Sequence, residues 1–104
     1  MKNNKIRRHK FNAVKAETNG IMFHSTKERD YYIKLMDDIG KDTLFVLRQV
    51  PIHLPGGVKY IVDFVEFRAD NTVHFVDVKG MQTKEFKIKK KIIESIYPIE
   101  IEVV

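Results

Sequence analysis

Three features of this sequence lead to an α/β protein with a mixed central β-sheet flanked by helices. Two segments, 25–39 and 83–97, carry the apolar spacing of a helix. The segments between and after them alternate in strand fashion and are bounded by turn residues. The 104 residues are 43% hydrophobic and 11% aromatic, which suits one domain with a real core.

Residues 1–12 read as a flexible basic arm and residues 13–104 as a single domain. Val14 to Thr18 alternates weakly, and Asn19-Gly20 separates it from Ile21-Met22-Phe23. Asn-Gly there signals a hairpin, because both residues accept positive φ. Ser25 supplies an N-cap with Glu28 three residues on, the pattern of a capping box. The helix runs to about Ile39, and Gly40 stops it. Leu44 to Val50 reads as a buried strand that Pro51 either ends or marks as a sheet edge. Pro55-Gly56-Gly57 is a turn. Val58 to Arg68 is a long strand, Thr72 to Lys79 another, and Ala69-Asp70-Asn71 joins them. Thr83 to Tyr97 is the second helix, stopped by Pro98. Ile99 to Val104 closes the sheet, so the order is β-β-α-β-β-β-α-β.

Composition excludes several chemistries. The absence of cysteine rules out disulfides, thiolate zinc sites and cysteine nucleophiles. No apolar run approaches the ~20 residues of a membrane helix, and no signal peptide is visible, so a soluble, cytoplasmic protein is expected. His9, His24, His53 and His74 show no ligand spacing, which argues against zinc. No phosphate-loop motif is present, so no nucleotide cofactor is expected. No Ser-His-Asp grouping is apparent.

The net charge of +5 is unevenly spread. Lys2, Lys5, Arg7, Arg8 and Lys10 make the first ten residues wholly basic, and Lys84, Lys87, Lys89, Lys90 and Lys91 outweigh Glu85 in the second helix. The remainder is mildly acidic. Two cationic blocks suit a polyanion such as nucleic acid, although a solvated tail and helix face would look the same.

A three-residue loop at 69–71 sets Phe67 against Val73, Val65 against Phe75 and Asp63 against Asp77. Asp63 then shares a face with Ile61, Val65 and Phe67, and Asp77 and Lys79 with Val73 and Phe75. Two carboxylates directly opposite repel by ~0.2–1 kcal/mol, and by more when buried. A divalent cation, a shared proton or Lys79 would compensate. Oxygen-only ligands favour Mg²⁺ or Mn²⁺. On a helical wheel of about 100° per residue, Glu28 falls within the stripe of Tyr31, Tyr32, Leu35 and Ile39, facing the sheet. It is either a third acidic member of the site or simply half of the capping box. On the second helix, Phe86, Ile88, Ile92, Ile93, Ile96 and Tyr97 form an apolar arc that contains Lys89. That lysine either snorkels past the core edge or reaches an anionic site.

Glu28, Tyr60-Ile61-Val62-Asp63 and Asp77-Val78-Lys79-Gly80 together resemble the PD-(D/E)XK nuclease signature. Phe23-His24-Ser25-Thr26-Lys27-Glu28, Gln49-Val50-Pro51 and the Lys84–Lys91 helix are further similar to a small phage-associated family of uncharacterised, endonuclease-like proteins within that superfamily. The likeness spans residues 14–104, with Val62 in place of the proline before Asp63 and Val50 separating Gln49 from Pro51. It implies a restriction-endonuclease-like core and a Mg²⁺- or Mn²⁺-dependent deoxyribonuclease. Asp63, Asp77 and the Val78 carbonyl would bind the ion, Glu28 would assist directly or through water, and Lys79 would position the attacking water. Gln49 could orient water or contact phosphate, or be an ordinary strand-end residue. DNA would be held through its backbone by Lys5, Arg7, Arg8, Lys10 and the lysines of the second helix, with little sequence specificity. Branched or structured DNA is the substrate suggested by analogy. A homodimer would place two active sites on two strands. The competing reading is a non-enzymatic nucleic-acid-binding or host-factor-interacting protein on the same fold.

Overall fold

The structure is a computed structural model and describes residues 16–104. The expected arm, with Lys5, Arg7, Arg8 and Lys10, lies outside the described residues. Strands β1 (Ala16–Thr18) and β2 (Ile21–Phe23) form a hairpin, with Asn19 at φ 51° and Gly20 at φ 77° as its tight turn requires. Helix α1 (Thr26–Asp38) starts where Ser25 Oγ accepts the Glu28 N–H at 3.1 Å. Strands β3 (Thr43–Leu54), β4 (Val58–Arg68) and β5 (Val73–Asp77) follow, then helix α2 (Lys84–Ile96) and strand β6 (Ile101–Val103). Thr83 caps α2, accepting the Phe86 N–H at 3.1 Å.

The last four strands form one mixed sheet in the order β3-β4-β5-β6. β4 pairs antiparallel with both β3 and β5, whereas β6 runs parallel to β5. A parallel neighbour needs a crossover, and α2 supplies it. The β4–β5 register sets Phe67 against Val73 and Val65 against Phe75, as expected. Several boundaries differ from expectation, β6 covering Ile101–Val103 rather than Ile99 to Val104. β3 continues through Pro51 to Leu54, because an edge strand tolerates proline when the missing N–H can face away from the sheet. β5 stops at Asp77, so Lys79 lies beyond the strand.

Two apolar clusters sandwich the sheet. On one side Phe23 and Leu35 pack on Phe64, Val76 and Val78. On the other, Phe86 and Ile93 of α2 pack on Ile52, Leu54, Tyr60, Val62, Val65 and Ile101. Strict alternation would keep Tyr60, Val62 and Phe64 together. Instead Tyr60 and Val62 join Val65 on the α2 side while Phe64 faces α1. β3 makes the same change. Val46 packs on the α1 side and the Arg48 guanidinium lies 4.6 Å from the Phe23 ring centroid, but Val50, Ile52 and Leu54 serve the α2 side. Both strands therefore swap faces at one level, between the pairs Arg48–Phe64 and Val50–Val62. Gln49 and Asp63 occupy that level. Gln49 adopts φ 52°, a left-handed conformation that costs a non-glycine residue about 1–3 kcal/mol. The expectation that Asp63 shares a face with Ile61 as well as Val65 and Phe67 is corrected here: Tyr60 and Val62 lie on the α2 side with Val65 and Phe67, so Ile61 between them turns to the other face.

The apolar arc of α2 is also narrower than expected. Phe86 and Ile93 are buried, but Ile88, Ile92 and Ile96 are exposed. The helix meets the sheet along the Phe86–Ile93 line, leaving an apolar cavity of about 570 Å³ where Ile88 and Ile92 face Leu54 and Val58. No helix among the described residues is long and apolar enough to cross a membrane.

Truncating α2 at these two kinds of position separates them. Ile93→Ala should cost about 2–5 kcal/mol in urea unfolding, as a core deletion does. Ile88→Ala should cost under about 1 kcal/mol, because its side chain is half in water. Equal losses would overturn the packing line drawn for this helix.

Candidate active site

The β4–β5 ladder ends at Phe64–Val76, and beyond it the strands part. Asp63 and Asp77 sit in the fork. Each carboxylate turns onto backbone from the other strand or its extension: Asp77 Oδ1 accepts the Asp63 N–H at 2.9 Å, and Asp63 Oδ2 accepts the Val78 N–H at 3.0 Å. The direct opposition of two carboxylates expected from the register is thus replaced by an interlock, in which side chains satisfy the backbone groups that the ladder has abandoned. The Tyr60 hydroxyl donates to Asp77 Oδ2, so both oxygens of this fully buried group are engaged.

Glu28 enters from the first turn of α1 and is 2% exposed. Its two oxygens turn to different partners. Oε1 accepts the His24 N–H at 3.2 Å, a capping bond displaced by one residue from Ser25. Oε2 accepts from Gln49 Nε2 at 3.1 Å. The same Nε2 donates to Asp63 Oδ1 at 3.3 Å, so Gln49 ties the helix acid to the strand acid. Gln49 is therefore no strand-end residue; it stands mid-strand at the face swap.

Lys79 follows the fork. Its ammonium lies 4.8 Å from the Phe86 ring centroid, over the aromatic face. Its N–H donates to the Val104 carbonyl at 3.1 Å, and its carbonyl accepts from Lys27 Nζ at 2.9 Å. Both main-chain groups are held, which fixes the start of the side chain. Val78 enters the site through its N–H rather than through any contact of its carbonyl seen here.

Burial dominates the electrostatics. It pushes the Asp63 carboxyl above its ordinary range; the Val78 N–H, the Lys79 ammonium and Gln49 oppose it, and the Glu28 charge adds to the rise. Burial likewise raises Asp77, against the pull of Tyr60 and the Asp63 N–H. The Tyr60 hydroxyl is raised in turn by burial and by its bond to Asp77. Among the described residues, no group of three or more His, Cys, Asp or Glu side chains is arranged to hold a metal ion. The carboxylate oxygens point at protein donors instead. The donor set itself is all-oxygen, which fits a hard ion such as Mg²⁺ or Mn²⁺, and each carboxylate oxygen retains a second lone pair.

Residues 51–103 match the family DUF1064, described as a protein of unknown function. The match covers 53 of the 104 residues. The chain belongs to the DUF1064 family. No curated protein and no solved structure matches it. The matched part of this DUF1064 chain contains Asp63, Asp77, Lys79 and the whole of α2, while Glu28 and Gln49 precede it.

The helix lysines do not form one stripe. Lys87, Lys90 and Lys91 border a depression shared with Gln82, Glu94 and Glu102, whereas Lys84 and Lys89 flank the apolar cavity on the other side. Lys89 pairs with Glu85 at 3.2 Å and Lys90 with Glu94 at 3.0 Å. Lys89 is therefore partnered along its own helix.

Two polar groupings escaped the sequence. Tyr60 is the more consequential: regular alternation would place it on the face opposite Asp63, and only the face swap brings it to Asp77. The second runs from Thr72 Oγ1 to His74 Nε2 at 2.8 Å and from His74 Nδ1 to Glu102 Oε2 at 2.5 Å. It has the order of a hydroxyl–imidazole–carboxylate triad. The Thr72 hydroxyl has one proton, however, and gives it to Asp70 Oδ1 at 2.5 Å. The Thr72 hydroxyl therefore has no proton left for the imidazole to take, and the chain of contacts ties the β4–β5 loop to β6.

The raised Asp63 carboxyl has a pH consequence. A carboxyl whose folded pKa exceeds its unfolded one stabilises the fold least once pH passes the folded value. In EDTA, Asp63→Asn should therefore melt higher than the wild type at pH 7. The advantage should shrink as pH falls through the raised folded value and be gone below the ordinary aspartate value of about 4, where folded and unfolded chains alike carry the proton. A melting difference independent of pH would contradict the assigned burial penalty.

Proposed function

We propose that this protein is a metal-dependent endonuclease of the PD-(D/E)XK type, hydrolysing phosphodiester bonds in DNA without strong sequence specificity. One observation carries the reading: Asp63 of β4 and Asp77 of β5 interlock at the fork, Gln49 ties Asp63 to Glu28 of α1, and Lys79 lies two residues beyond Asp77. A mixed sheet with a helix packed on each side is compatible with the resemblance. A fold gains nothing in stability by burying three acids together, so their meeting favours a chemical role.

Asp63 and Asp77 would hold Mg²⁺ or Mn²⁺, helped by Glu28 and the Val78 carbonyl. Such an ion, when bound, lowers the pKa of water and neutralises charge developing on phosphate. Tyr60 and the Asp63 N–H lock the rotamer of Asp77, so this ligand is preorganised. Lys79 is anchored through its backbone, and its ammonium is the group suited to orient the attacking water and to offset charge on the phosphorane. The exposed Lys84, Lys87 and Lys91 of α2 are suited to phosphate contacts. A phage-encoded enzyme acting in the host cytoplasm on branched DNA, as a homodimer, is the setting that the resemblance favours. The satisfied state of every acid favours a second reading, a nucleic-acid-binding or host-factor-binding protein that keeps the fold without the chemistry.

Supercoiled and branched DNA incubated with Mg²⁺, Mn²⁺ or EDTA separates the two. The enzyme should nick with either ion and not in EDTA, and Asp77→Ala and Lys79→Ala should each lose at least about 100-fold in rate. DNA binding without cleavage, unchanged in Asp77→Ala, would establish the second reading instead. Replacing Lys87 and Lys91 together by Gln should weaken binding to all sequences alike and reduce the salt slope by about two.

A further inference from the structure

We propose that the Gln49 carboxamide stands in for the cation when no metal is bound, and that an ion entering the site must displace it. Gln49 thereby sets the metal affinity. The inference rests on the metal-binding reading above and adds to it a residue that opposes loading. A single nitrogen, Nε2, reaches carboxylates from two different elements: Glu28 Oε2 at 3.1 Å and Asp63 Oδ1 at 3.3 Å. An amide nitrogen has two N–H donors, and here each carboxylate takes one. An ion held by these carboxylates would draw on the same two oxygens to which Nε2 donates, so the ion and the carboxamide would compete for them.

The backbone agrees. Gln49 is held at φ 52° in the middle of a twelve-residue strand, between normally paired neighbours. That conformation is costly for a residue with a side chain, and the two bonds from Nε2 help to offset it. The carboxamide is neutral, so it satisfies the oxygens without cancelling their charge. Glu28 accordingly still repels the Asp63 carboxylate. An ion would relieve both. Gln49 is only half-buried and has a flexible three-torsion side chain, so it can swing away without unfolding β3.

Mn²⁺ binding tests this, read as loss of the free-ion signal in electron paramagnetic resonance, together with melting temperatures in EDTA and in Mn²⁺. Gln49→Ala should bind Mn²⁺ about tenfold more tightly than the wild type. It should melt lower in EDTA and show a larger rise on adding the ion. Gln49→Gly removes the carboxamide while suiting the left-handed backbone, so it tests the same point if the alanine variant folds poorly. Equal or weaker Mn²⁺ binding in both variants would overturn the inference while leaving the metal site standing. If the wild type and both variants all fail to bind Mn²⁺, the metal reading falls and this inference falls with it.

Discussion

The cost of keeping three carboxylates out of water governs this structure. An ionised acid moved into a protein interior loses several kcal/mol of hydration unless hydrogen bonds and charges replace it. Glu28 and Asp77 are almost fully enclosed and Asp63 is half so. The chain answers with donors: backbone N–H groups of His24, Asp63 and Val78, the Tyr60 hydroxyl and the Gln49 amide. Among the described residues, Lys79 adds an opposing charge that is felt by both aspartates. The site is well satisfied in hydrogen bonds and poorly neutralised in charge.

The fork and the face swap are two sides of one arrangement. Once β4 and β5 part, the N–H groups of Asp63 and Val78 have lost their ladder partners, and the two aspartates supply replacements. At the same level β3 and β4 exchange faces, so residues of one parity serve α1 below the site and α2 above it. This is how an acid from α1 and a tyrosine facing α2 reach the same pair of aspartates through a single sheet. A strand of strict alternation would have kept them on opposite sides.

The cationic helix divides its work. Lys89 and Lys90 are partnered along α2 itself, as i,i+4 pairs worth a few tenths of a kcal/mol each. The exposed Lys84, Lys87 and Lys91 project on two sides of the helix, with an apolar hollow on one flank. Such a surface suits backbone contact better than a base-reading groove, in keeping with the absence of strong sequence preference proposed for the protein. The family match spans the strand acids, Lys79 and this helix.

Much of the fold was legible before any coordinates. Local signals carried it: Asn19-Gly20 demanded a tight turn, Ser25 and Glu28 announced a helix start, and Gly40 and Pro98 marked helix ends. The β4–β5 register followed from the length of the loop, and it placed Asp63 beside Asp77. The inward aim of Glu28 was readable from helical spacing alone. These features depend on neighbours within a few residues, and short-range sterics and hydrogen bonding decide them. The partners that complete the site were not so readable. That Gln49 bonds both acids, that Tyr60 caps Asp77, and that Ile88 and Ile92 stay in water all depend on where two strands swap faces and how one helix tilts onto them. Alternation along a strand says which residues share a side only while the backbone stays regular, and a left-handed residue in mid-strand is a choice made by contacts far apart in the chain.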